Sequence, residues 1–587
     1  MSSESRAVFR FGEFQLDVPA YELRRRGELV RIERRPMDLL ILLLERRGEL
    51  VSRADIAERL WGSSVYVDIE TGVNTAIRKI RQALHDAPER PAFIETVSGK
   101  GYRFIANLEV IPAREEIPPR TIIAVLPFEH LGVDSGREYL ADGLTEELIA
   151  ALGQVHPEHF GVIGRTSMMA YKRTTKSLAE IGRELDADFL VESSIRAEAG
   201  RLRITSKLIR ARDQIQIWSD SYDSVPASVL EFQRELSTAI AREVKLRVSP
   251  TRLAALAQRQ TQHVEAYDFY LRGRYFWNQL SPPTTRRAIE FYIRATELDP
   301  DYTLAWCGLA DAYAAAPISG DAAPFEVWPR ARDAAGHAVT AGPNLAEAQT
   351  SVGYVNFWLE WDWVAAESAF RKAIAIDRNY ALAHRTLGVL LSMIGRHEEA
   401  SSEACRAREL DPLDPAHHAL SAQIAFHGRS YSAAVQLAHR AIVLDPEFWV
   451  GYYQLALASE RLGHYDSALN ALHKAGMFGS GNSKVLGLRG YIFAKEGQSK
   501  EAEDVIGTLA TASRQGYVPP YATALVYAGL GERHAAIDWL ERAYEVHDVH
   551  LTLLTADPKW DPFRADDEFK ALLKRCSFVK SVSLTLQ

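Results

Sequence analysis

The segment YSAAVQLAHRAIVLDP (431–446) belongs to a pattern that returns throughout the C-terminal half of the chain. Its Ala434 is one of six alanines separated by 34 residues each: Ala366, Ala400, Ala434, Ala468, Ala502 and Ala536. Glycines and aspartates keep the same interval, at Gly463, Gly497 and Gly531 and at Asp377, Asp411 and Asp445. With small insertions the pattern continues back to Ala288, which predicts about eight repeated units between residues 265 and 575.

The repeated residue types predict pairs of antiparallel helices. Alanine lets two helices approach closely, glycine ends the first helix of a pair, and Asp-Pro, as in ELDP (409–412), ends the second. An irregular helical bundle is the alternative, but it would not keep a 34-residue interval. The C-terminal region is therefore predicted to be an all-α solenoid.

These units resemble the tetratricopeptide repeat. The resemblance rests on Trp306, Leu309, Ala310 and Tyr313 in one first helix and on Leu387, Gly388 and Leu391 in another. Stacked helix pairs create an extended concave groove, and the resemblance implies a protein or peptide partner on it. Asn356, Arg385 and Gln454 are the candidate groove residues because they are polar positions within apolar first helices. The alternative is that these three side chains are merely solvated.

The N-terminal residues, 1–108, show a different order of elements. Short alternating segments at 8–16 and 29–32 predict strands, and Pro36 is expected to open a helix that carries Leu39, Leu40, Leu43 and Leu44. Ser52 is expected to cap a second helix, 54–61, and a third helix is predicted over 69–85. The stretch 93–106 is predicted to form a hairpin that turns at Gly99 and Gly101.

This α+β module resembles the OmpR-type winged helix-turn-helix. The segments that carry the resemblance are VSRADIAERLWG (51–62), VNTAIRKIRQAL (73–84) and IETVSGKGYRF (94–104). The resemblance implies that the third helix enters the major groove of double-stranded DNA and that the hairpin wing reaches the neighbouring minor groove.

The third helix has a composition suited to this task. With Val73, Ile77, Ile80 and Leu84 facing the core, the predicted outward residues are Thr71, Asn74, Thr75, Arg78, Lys79, Arg81 and Gln82. Arginine, asparagine and glutamine read base edges, while lysine and threonine suit phosphates. In the wing, Lys100 is the predicted minor-groove residue, as in the CadC-like version of the family, and Arg103 is a predicted phosphate contact. Tyr102 is expected to pack. A solvated helix face is the alternative interpretation.

A middle domain is predicted over 121–248, after a proline-rich linker, 109–120. Strands at 122–126, 160–163, 188–196, 201–210 and 214–219, with helices at 138–152, 178–185 and 225–247, indicate a mixed α/β sheet. Segments such as IAVLPFEHL (123–131) and VIGRTS (162–167) resemble the FlgO/TolB-N-like domain. A ligand sensor, a docking surface and a spacer remain open. Asp142 and Arg165, each beside a glycine, either line a site or have loop and cap roles.

Composition excludes several classes of protein. The longest run of strong hydrophobes, Leu39 to Leu44, is too short to cross a bilayer, and three cysteines form no disulfide framework. Residues 1–106 carry a net charge of +2 and the rest −10, which permits nucleic-acid contact at the N-terminal end and argues against it elsewhere. No phosphate-binding, zinc or nucleophile motif occurs, and the pairs His156/His159 and His547/His550 are expected to be surface histidines. No catalytic residue, metal or cofactor is predicted.

Together these patterns predict a cytoplasmic, sequence-specific transcriptional regulator, without membrane contact and with a possible homodimer on DNA. Its solenoid, alone or together with its middle domain, would receive a protein or ligand signal. The alternative is a tetratricopeptide scaffold or adaptor in which the winged helix docks protein rather than DNA. A small-molecule sensor acting through residues 121–248 is a third hypothesis, and it is compatible with DNA binding.

Overall fold

The computed structural model of the chain divides into two compact units, residues 1–118 and 119–587. The structure describes residues 7–17, 22–25, 28–30, 32–46, 48–61, 69–106, 108–112, 121–131, 138–155, 160–198, 201–224, 239, 261, 263–278, 282–318, 322–479 and 482–577. The predicted fold class is confirmed: an α+β winged helix, a mixed α/β domain and an all-α solenoid follow one another along the chain.

The N-terminal unit contains two antiparallel sheets and three helices. The first sheet has the strand order β4-β3-β2-β1-β8, made of β1 (Ala7–Phe11), β2 (Phe14–Asp17), β3 (Glu22–Arg25), β4 (Glu28–Val30) and β8 (Glu109–Pro112). The helices are α1 (Arg34–Glu45), α2 (Arg53–Trp61) and α3 (Ile69–Leu84). The second sheet, the wing, has the order β5-β7-β6 and contains β5 (Val51–Ser52), β6 (Ile94–Val97) and β7 (Gly101–Phe104).

The core of this unit forms where the apolar pattern predicted it. Leu39, Leu40, Leu43 and Leu44 of α1 are fully buried, and they share one cluster with the apolar face of α3. Helix α1 begins at Arg34, two residues before Pro36. The Ser52 hydroxyl accepts the Asp55 amide at 3.1 Å, which confirms the predicted cap of α2.

The predicted linker needs a correction at its start. Residues 109–112 are not a linker but strand β8, which pairs antiparallel with β1 and places Ile111 opposite Val8. This pairing satisfies backbone groups along the edge of β1 that would otherwise stay open. The remainder of the predicted linker, 113–120, lies outside the described residues.

The C-terminal unit begins with the middle domain, whose sheet order is β11-β9-β12-β13-β14. Its strands are β9 (Thr121–Val125), β10 (Glu129–His130), β11 (Phe160–Val162), β12 (Phe189–Glu198), β13 (Arg201–Arg210) and β14 (Ile215–Ser224), and its helices are α4 (Glu138–Val155), α5 (Arg165–Met169) and α6 (Leu178–Glu184). Strands β9, β11 and β12 run parallel, whereas β12, β13 and β14 are antiparallel. The predicted helix at 225–247 lies almost entirely outside the described residues.

In the described residues the solenoid has eight helix pairs. The pairs are α7 (Val264–Trp277) with α8 (Pro282–Leu298), α9 (Thr303–Ala315) with α10 (Pro324–Ala341), α11 (Ala346–Val355) with α12 (Trp363–Ile376), α13 (Ala381–Met393) with α14 (His397–Leu410), α15 (Pro415–His427) with α16 (Tyr431–Leu444), α17 (Trp449–Arg461) with α18 (Tyr465–Phe478), α19 (Ser483–Lys495) with α20 (Ser499–Ala512), and α21 (Pro520–Leu530) with α22 (Arg533–Glu545). All six registered alanines are fully buried. Gly463, Gly497 and Gly531 follow first helices with φ near +80°, which only glycine adopts readily.

The middle domain packs against the first helices of the solenoid. A Cβ atom on Gly143 of α4 would lie only 2.5 Å from the Leu271 side chain, so glycine permits this close approach. Farther along, the amides of Gly164 and Ser167 donate to the Leu410 carbonyl and the Asp411 carboxylate, both at 2.7 Å. Asp411, predicted only as a helix-ending residue, therefore also binds the middle domain.

A C-terminal segment, residues 546–577, returns across the solenoid. It forms two 3-10 turns (Val549–Leu553 and Pro558–Phe563) and helix α23 (Asp567–Arg575). Its backbone carbonyls at Ala556 and Cys576 accept hydrogen bonds from Arg429 and Trp363, which belong to earlier repeats. Trp560 is fully buried and donates to the Tyr521 hydroxyl at 2.9 Å. The segment thus joins the third, fifth and eighth helix pairs.

No helix in the described part of the chain is both long and apolar enough to span a bilayer.

Candidate nucleic-acid interface

Helix α3 separates its side chains into a buried face and an exposed stripe. Val73, Ile77, Ile80 and Leu84 are at most 3% exposed. Asn74, Arg78 and Gln82 recur every four residues on the opposite side and are exposed, together with Thr71 one turn earlier. The stripe offers amide and guanidinium groups in the geometry of a helix that can enter the major groove.

The side chain of Asn74 is oriented by two neighbours. The Tyr102 hydroxyl donates to Asn74 Oδ1 at 2.9 Å, and Arg53 Nη1 lies 3.4 Å from the same oxygen. Because its oxygen faces these donors, the Asn74 amide nitrogen is left as a donor toward the ligand side. Tyr102 itself is 3% exposed, as its predicted packing role requires.

Two cationic residues of α3 have protein partners. Arg81 Nη2 donates to the Ile94 carbonyl at 2.8 Å and to Thr96 Oγ1 at 2.9 Å, and it thereby ties α3 to the wing. Lys79 Nζ lies 2.5 Å from Glu33 Oε1. Arg78 is exposed and has no side-chain partner among the described residues. Thr75 is half-buried. Of these three basic side chains, Arg78 is therefore the most accessible to a ligand.

The wing presents Lys100 at its turn. Lys100 is exposed and lies between Gly99, with φ +70°, and Gly101. A Cβ atom on Gly101 would lie 2.0 Å from the Val51 carbonyl oxygen, so the pairing of β7 with β5 requires glycine there. Arg103 faces Glu95 across the hairpin at 3.6 Å and is half-exposed. A shallow concavity between α3 and the wing is lined by Asn74, Arg78, Arg81, Gln82 and Tyr102, among others.

Two residues that shape this surface were missed by the sequence patterns. Arg53 contacts both Asn74 and the ring of Tyr102, 5.5 Å from the ring centre. Asp86 is 5% exposed and its carboxylate accepts the backbone amides of Ala92 and Ile94 at 2.6 and 2.8 Å, which orders the approach to the wing. An aspartate that follows a helix is a signal for such capping, although it does not identify the amides it will accept.

The candidate groove residues of the solenoid have different environments. Asn356 begins a short π-helical turn, Asn356–Glu360, and is half-buried. Arg385 lines an internal cavity, with Nη1 3.8 Å from Asp414 Oδ2. Gln454 is 3% exposed, and its Nε2 lies 3.5 Å from Gln423 Oε1. Gln454 is therefore buried, whereas Asn356 and Arg385 are half-buried.

The histidine prediction is wrong at its C-terminal pair. His547 stacks on Trp361 with ring centres 3.8 Å apart, and His550 is 3% exposed and hydrogen-bonded to Asp548 at 2.8 Å. Both rings are enclosed because the C-terminal segment turns back onto the solenoid. His156 and His159 lie outside the described residues. In the middle domain, Asp142 forms an ion pair with Lys172 at 2.6 Å, whereas Arg165 lines the cavity that also holds Arg385.

Three family models match the three regions. Residues 27–104 match the model "Transcriptional regulatory protein, C terminal", residues 119–241 match "HilA/YgeH-like transcriptional regulator, second domain", and residues 359–424 match a tetratricopeptide repeat. The chain is built from the domains of a DNA-binding transcriptional regulator. The combination of an OmpR-type winged helix, a HilA-like second domain and tetratricopeptide repeats agrees with the architecture described above.

Curated relatives share this combination in part. The chain is 22% identical to the transcriptional regulator HilA of Salmonella typhimurium over 437 residues, which is 74% of this chain and 76% of that protein. It is 30% identical to a protein named putative adenylate cyclase 3 of Rhizobium meliloti over 223 residues, only 38% of each chain. Among solved structures, the Klebsiella pneumoniae RstA DNA-binding domain in complex with the RstA box is 29% identical, covers 16% of this chain and 95% of that one, and gives a TM-score of 0.16.

Proposed function

We propose that the protein is a cytoplasmic regulator that binds specific duplex DNA through its N-terminal unit and receives a signal through its C-terminal unit. The observation that carries the proposal is the exposed stripe of Asn74, Arg78 and Gln82 on α3, next in sequence to a wing that presents Lys100. Arg78 and Gln82 read base edges, Asn74 contributes its amide nitrogen, and Lys100 enters the minor groove. Thr71, Thr75, Lys79 and Arg103 contact phosphates, and Arg81 holds the wing in place.

The fragment 1–118 is the appropriate one to test, because it includes strand β8. It should bind duplex DNA with an affinity that falls steeply as salt rises, by a log–log slope of about −0.9 for each phosphate contact. Fluorescence anisotropy on a labelled duplex over a salt series measures that slope. A folded fragment without salt-dependent binding would instead support the adaptor alternative.

The signal enters through the solenoid or the middle domain, and the protein acts without catalytic chemistry of its own. Tetratricopeptide arrays present surfaces for protein partners. Because Gln454 is buried, such a partner contacts the solenoid near Asn356 or on the outer helices rather than at all three candidate groove residues. Deleting 265–587 in cells should abolish the regulated response while leaving DNA occupancy by the N-terminal unit measurable. A regulated response that survives this deletion would contradict the proposed role of the solenoid.

Paired modules on tandem half-sites about one helical turn apart are the expected arrangement if the protein dimerises on DNA. A shift assay with one and with two half-sites distinguishes a single bound copy from two copies.

A further inference from the structure

A cavity of about 370 Å³ lies within the C-terminal unit, between the middle domain and the solenoid. One wall comes from α4 and the segment 162–166, and the other from the first helices of the early repeats. Cavities of this size between domains are typical sites for small molecules. Neither DNA binding by the winged helix nor the stacking of the repeats requires this cavity.

Carboxylates dominate the lining. The acidic residues are Glu146, Glu147, Asp311, Glu347, Asp377, Asp411, Asp414 and Asp445, and the guanidinium groups belong to Arg165, Arg274 and Arg385. Arg165 and Arg274 both pair with Glu146. Although burial pushes the pKa of Glu146 upward, these two arginines hold it below its ordinary value. Glu146 offsets half of the positive charge of these two arginines, and the eight carboxyl groups of the lining still outnumber its three guanidinium groups.

Asp311 is the carboxylate that most needs a cation. It is 7% exposed and accepts a hydrogen bond from the Ser351 hydroxyl at 2.7 Å, but it takes part in none of the ion pairs of the described residues. Burial raises the pKa of Asp311 to about 6, and nearby Glu347 adds to this effect while Ser351 and Arg274 oppose it. A buried carboxylate without an ionic partner is costly, so a cation placed beside it would be bound favourably.

An unpartnered polar side chain also faces the cavity. His417 is 3% exposed and lines the cavity. Among the residues that the structure describes, its Nδ1 has no hydrogen-bond partner, and its Nε2 lies 3.7 Å from Asp414 Oδ2. Burial lowers the pKa of His417 to about 4, so the ring is neutral and can accept or donate one hydrogen bond. Aromatic side chains complete the wall: Tyr270, Trp277, Tyr354, Tyr380 and Phe448. Such rings favour cations with an apolar body.

A bare metal ion fits less well. Donor atoms of Asp411, Asp414 and His417 lie within 4.8 Å of one another. However, Asp411 already accepts the Ser167 amide at 2.7 Å, and the Arg385 guanidinium stands 3.8 Å from Asp414 and would repel a divalent ion. An ion would also fill only a small part of the cavity.

We propose that this cavity binds a small organic cation, an ammonium group on an apolar or aromatic body, with the Asp311 carboxylate as its counter-ion. The aromatic wall would contact the body. The inference rests on the proposed signal reception by the C-terminal unit and names its ligand class. Because the ligand touches both the middle domain and the solenoid, binding would stabilise their packing.

The test compares two probes of similar shape and opposite charge, 2-phenylethylammonium and 3-phenylpropanoate, titrated calorimetrically into the full-length protein at pH 8. The ammonium probe should bind and the carboxylate should not. Asp311→Asn keeps the side-chain shape and should weaken ammonium binding about tenfold or more. Asp466→Asn, an exposed acidic position on α18, is the matched control and should leave the affinity unchanged.

Lowering the pH from 8 to 5 should also weaken binding, because Asp311 takes up a proton while the probe remains an ammonium ion. Glu347 and Arg274 are the charged groups that act most strongly on Asp311. Asp411 lines the same cavity and takes up a proton in the same range, because burial and Asp414 raise its pKa to about 7, so Asp311→Asn should lose only the part of the pH dependence that is centred near pH 6. Equal melting temperatures of the unliganded variants exclude a folding defect.

The proposal is overturned if 3-phenylpropanoate binds in place of the ammonium ion, if Asp311→Asn binds as well as the natural protein, or if neither probe binds at 10 mM, a concentration about tenfold above a millimolar Kd. If MnCl₂ displaces the bound probe and His417→Gln abolishes this displacement, the cavity is a metal site instead. The assay contains no DNA, so its failure would leave the DNA-binding function untouched, and failure of DNA binding would leave the calorimetric result standing.

Discussion

The guanidinium of Arg53 joins three parts of the N-terminal unit. It starts on α2, reaches Asn74 of α3 and lies over the ring of Tyr102 in the wing. A positive charge at this position faces the candidate DNA surface and also fixes the orientation of a residue on that surface. The helical segment 51–62 can be recognised in the sequence, but the long-range contact of Arg53 cannot.

Arg78 and Lys100 should respond differently to truncation. Arg78→Ala should cost about 1–3 kcal/mol on the specific site and relax preference at one base pair, because it removes a base contact. Lys100→Ala should weaken specific and random duplexes to similar degrees. Binding isotherms on both duplexes make the comparison, and equal losses for both variants on both duplexes would contradict the assigned roles.

Arg81→Ala should act on stability before it acts on recognition. It removes the hydrogen bonds to the Ile94 carbonyl and to Thr96, so we expect the fragment 1–118 to lose about 1–3 kcal/mol of unfolding free energy. Chemical denaturation measures this loss. Gln82→Ala, one residue away and exposed, is the control and should unfold like the natural sequence. If both variants have the same denaturant midpoint, the hydrogen bonds of Arg81 to the wing do not stabilise the fragment.

At the scale of the element, the wing depends on two glycines for different reasons. Gly101→Ala places a methyl group against the Val51 carbonyl and should separate β5 from β7, at a cost of about 3 kcal/mol or more. Gly99→Ala meets no atom within 4 Å and bears only the strain of φ +70°, about 1 kcal/mol. Thermal unfolding of fragment 1–118 separates the two effects. A larger loss for Gly99→Ala would show that the turn, not the strand pairing, limits the hairpin.

Helix α15 ends in a histidine that should make the C-terminal unit sensitive to acid. Burial lowers the pKa of His427 to about 3, and Ser392 bonds its Nδ1 at 3.0 Å. In the unfolded chain the pKa is near the ordinary 6.5, so the unfolded state binds the proton first as the pH falls below that value. His427 should therefore cost the folded state about 1.4 kcal/mol per pH unit between pH 6 and 4.

Comparing pH slopes isolates this histidine from the other buried groups. Asp411, whose pKa is raised to about 7 by burial and by Asp414, works in the opposite direction, because the folded state holds its proton first. His427→Gln should reduce the loss of unfolding free energy between pH 6 and pH 4 by about the 1.4 kcal/mol per pH unit that the titration of His427 contributes. Identical slopes in urea unfolding from pH 6 to pH 4 would show that His427 is protonated in the folded protein.

Helices and strands could be predicted from the sequence wherever a local pattern of residue types specifies them. The 34-residue interval located the last six helix pairs, and its extension with small insertions located the first two, because alanine and glycine act at fixed places within a pair. The interval stops near residue 545, so the return of the C-terminal segment could not be read from it. Asp411 illustrates the same limit: its place in ELDP predicts the end of α14, yet its carboxylate also accepts two backbone amides of the middle domain.

At the scale of the whole molecule, we expect the segment 546–577 to couple repeats that are far apart in sequence. In most solenoids each repeat is stabilised only by its neighbours, so some repeats can unfold while others stay folded. Here Arg429, Trp363 and Tyr521 all contact one segment. Trp560→Ala should cost about 3–5 kcal/mol and broaden the unfolding transition, whereas Trp539→Ala, on α22 and only partly buried, should cost less. Calorimetric and van't Hoff enthalpies measure the change, and a single sharp transition in Trp560→Ala would argue against coupling.

The segment 546–577 is synthesised after all eight helix pairs, and this order affects how the solenoid folds. A ribosome makes all eight helix pairs before it makes Trp560, so the first helices of the later repeats emerge without the side chain that covers Tyr521. Until then, aromatic surface that the finished protein buries is open to chaperones and to neighbouring nascent chains. The solenoid therefore completes its folding only when translation has passed residue 577, and a premature stop anywhere in the last repeat would release a chain with most of its repeats but a marked tendency to aggregate.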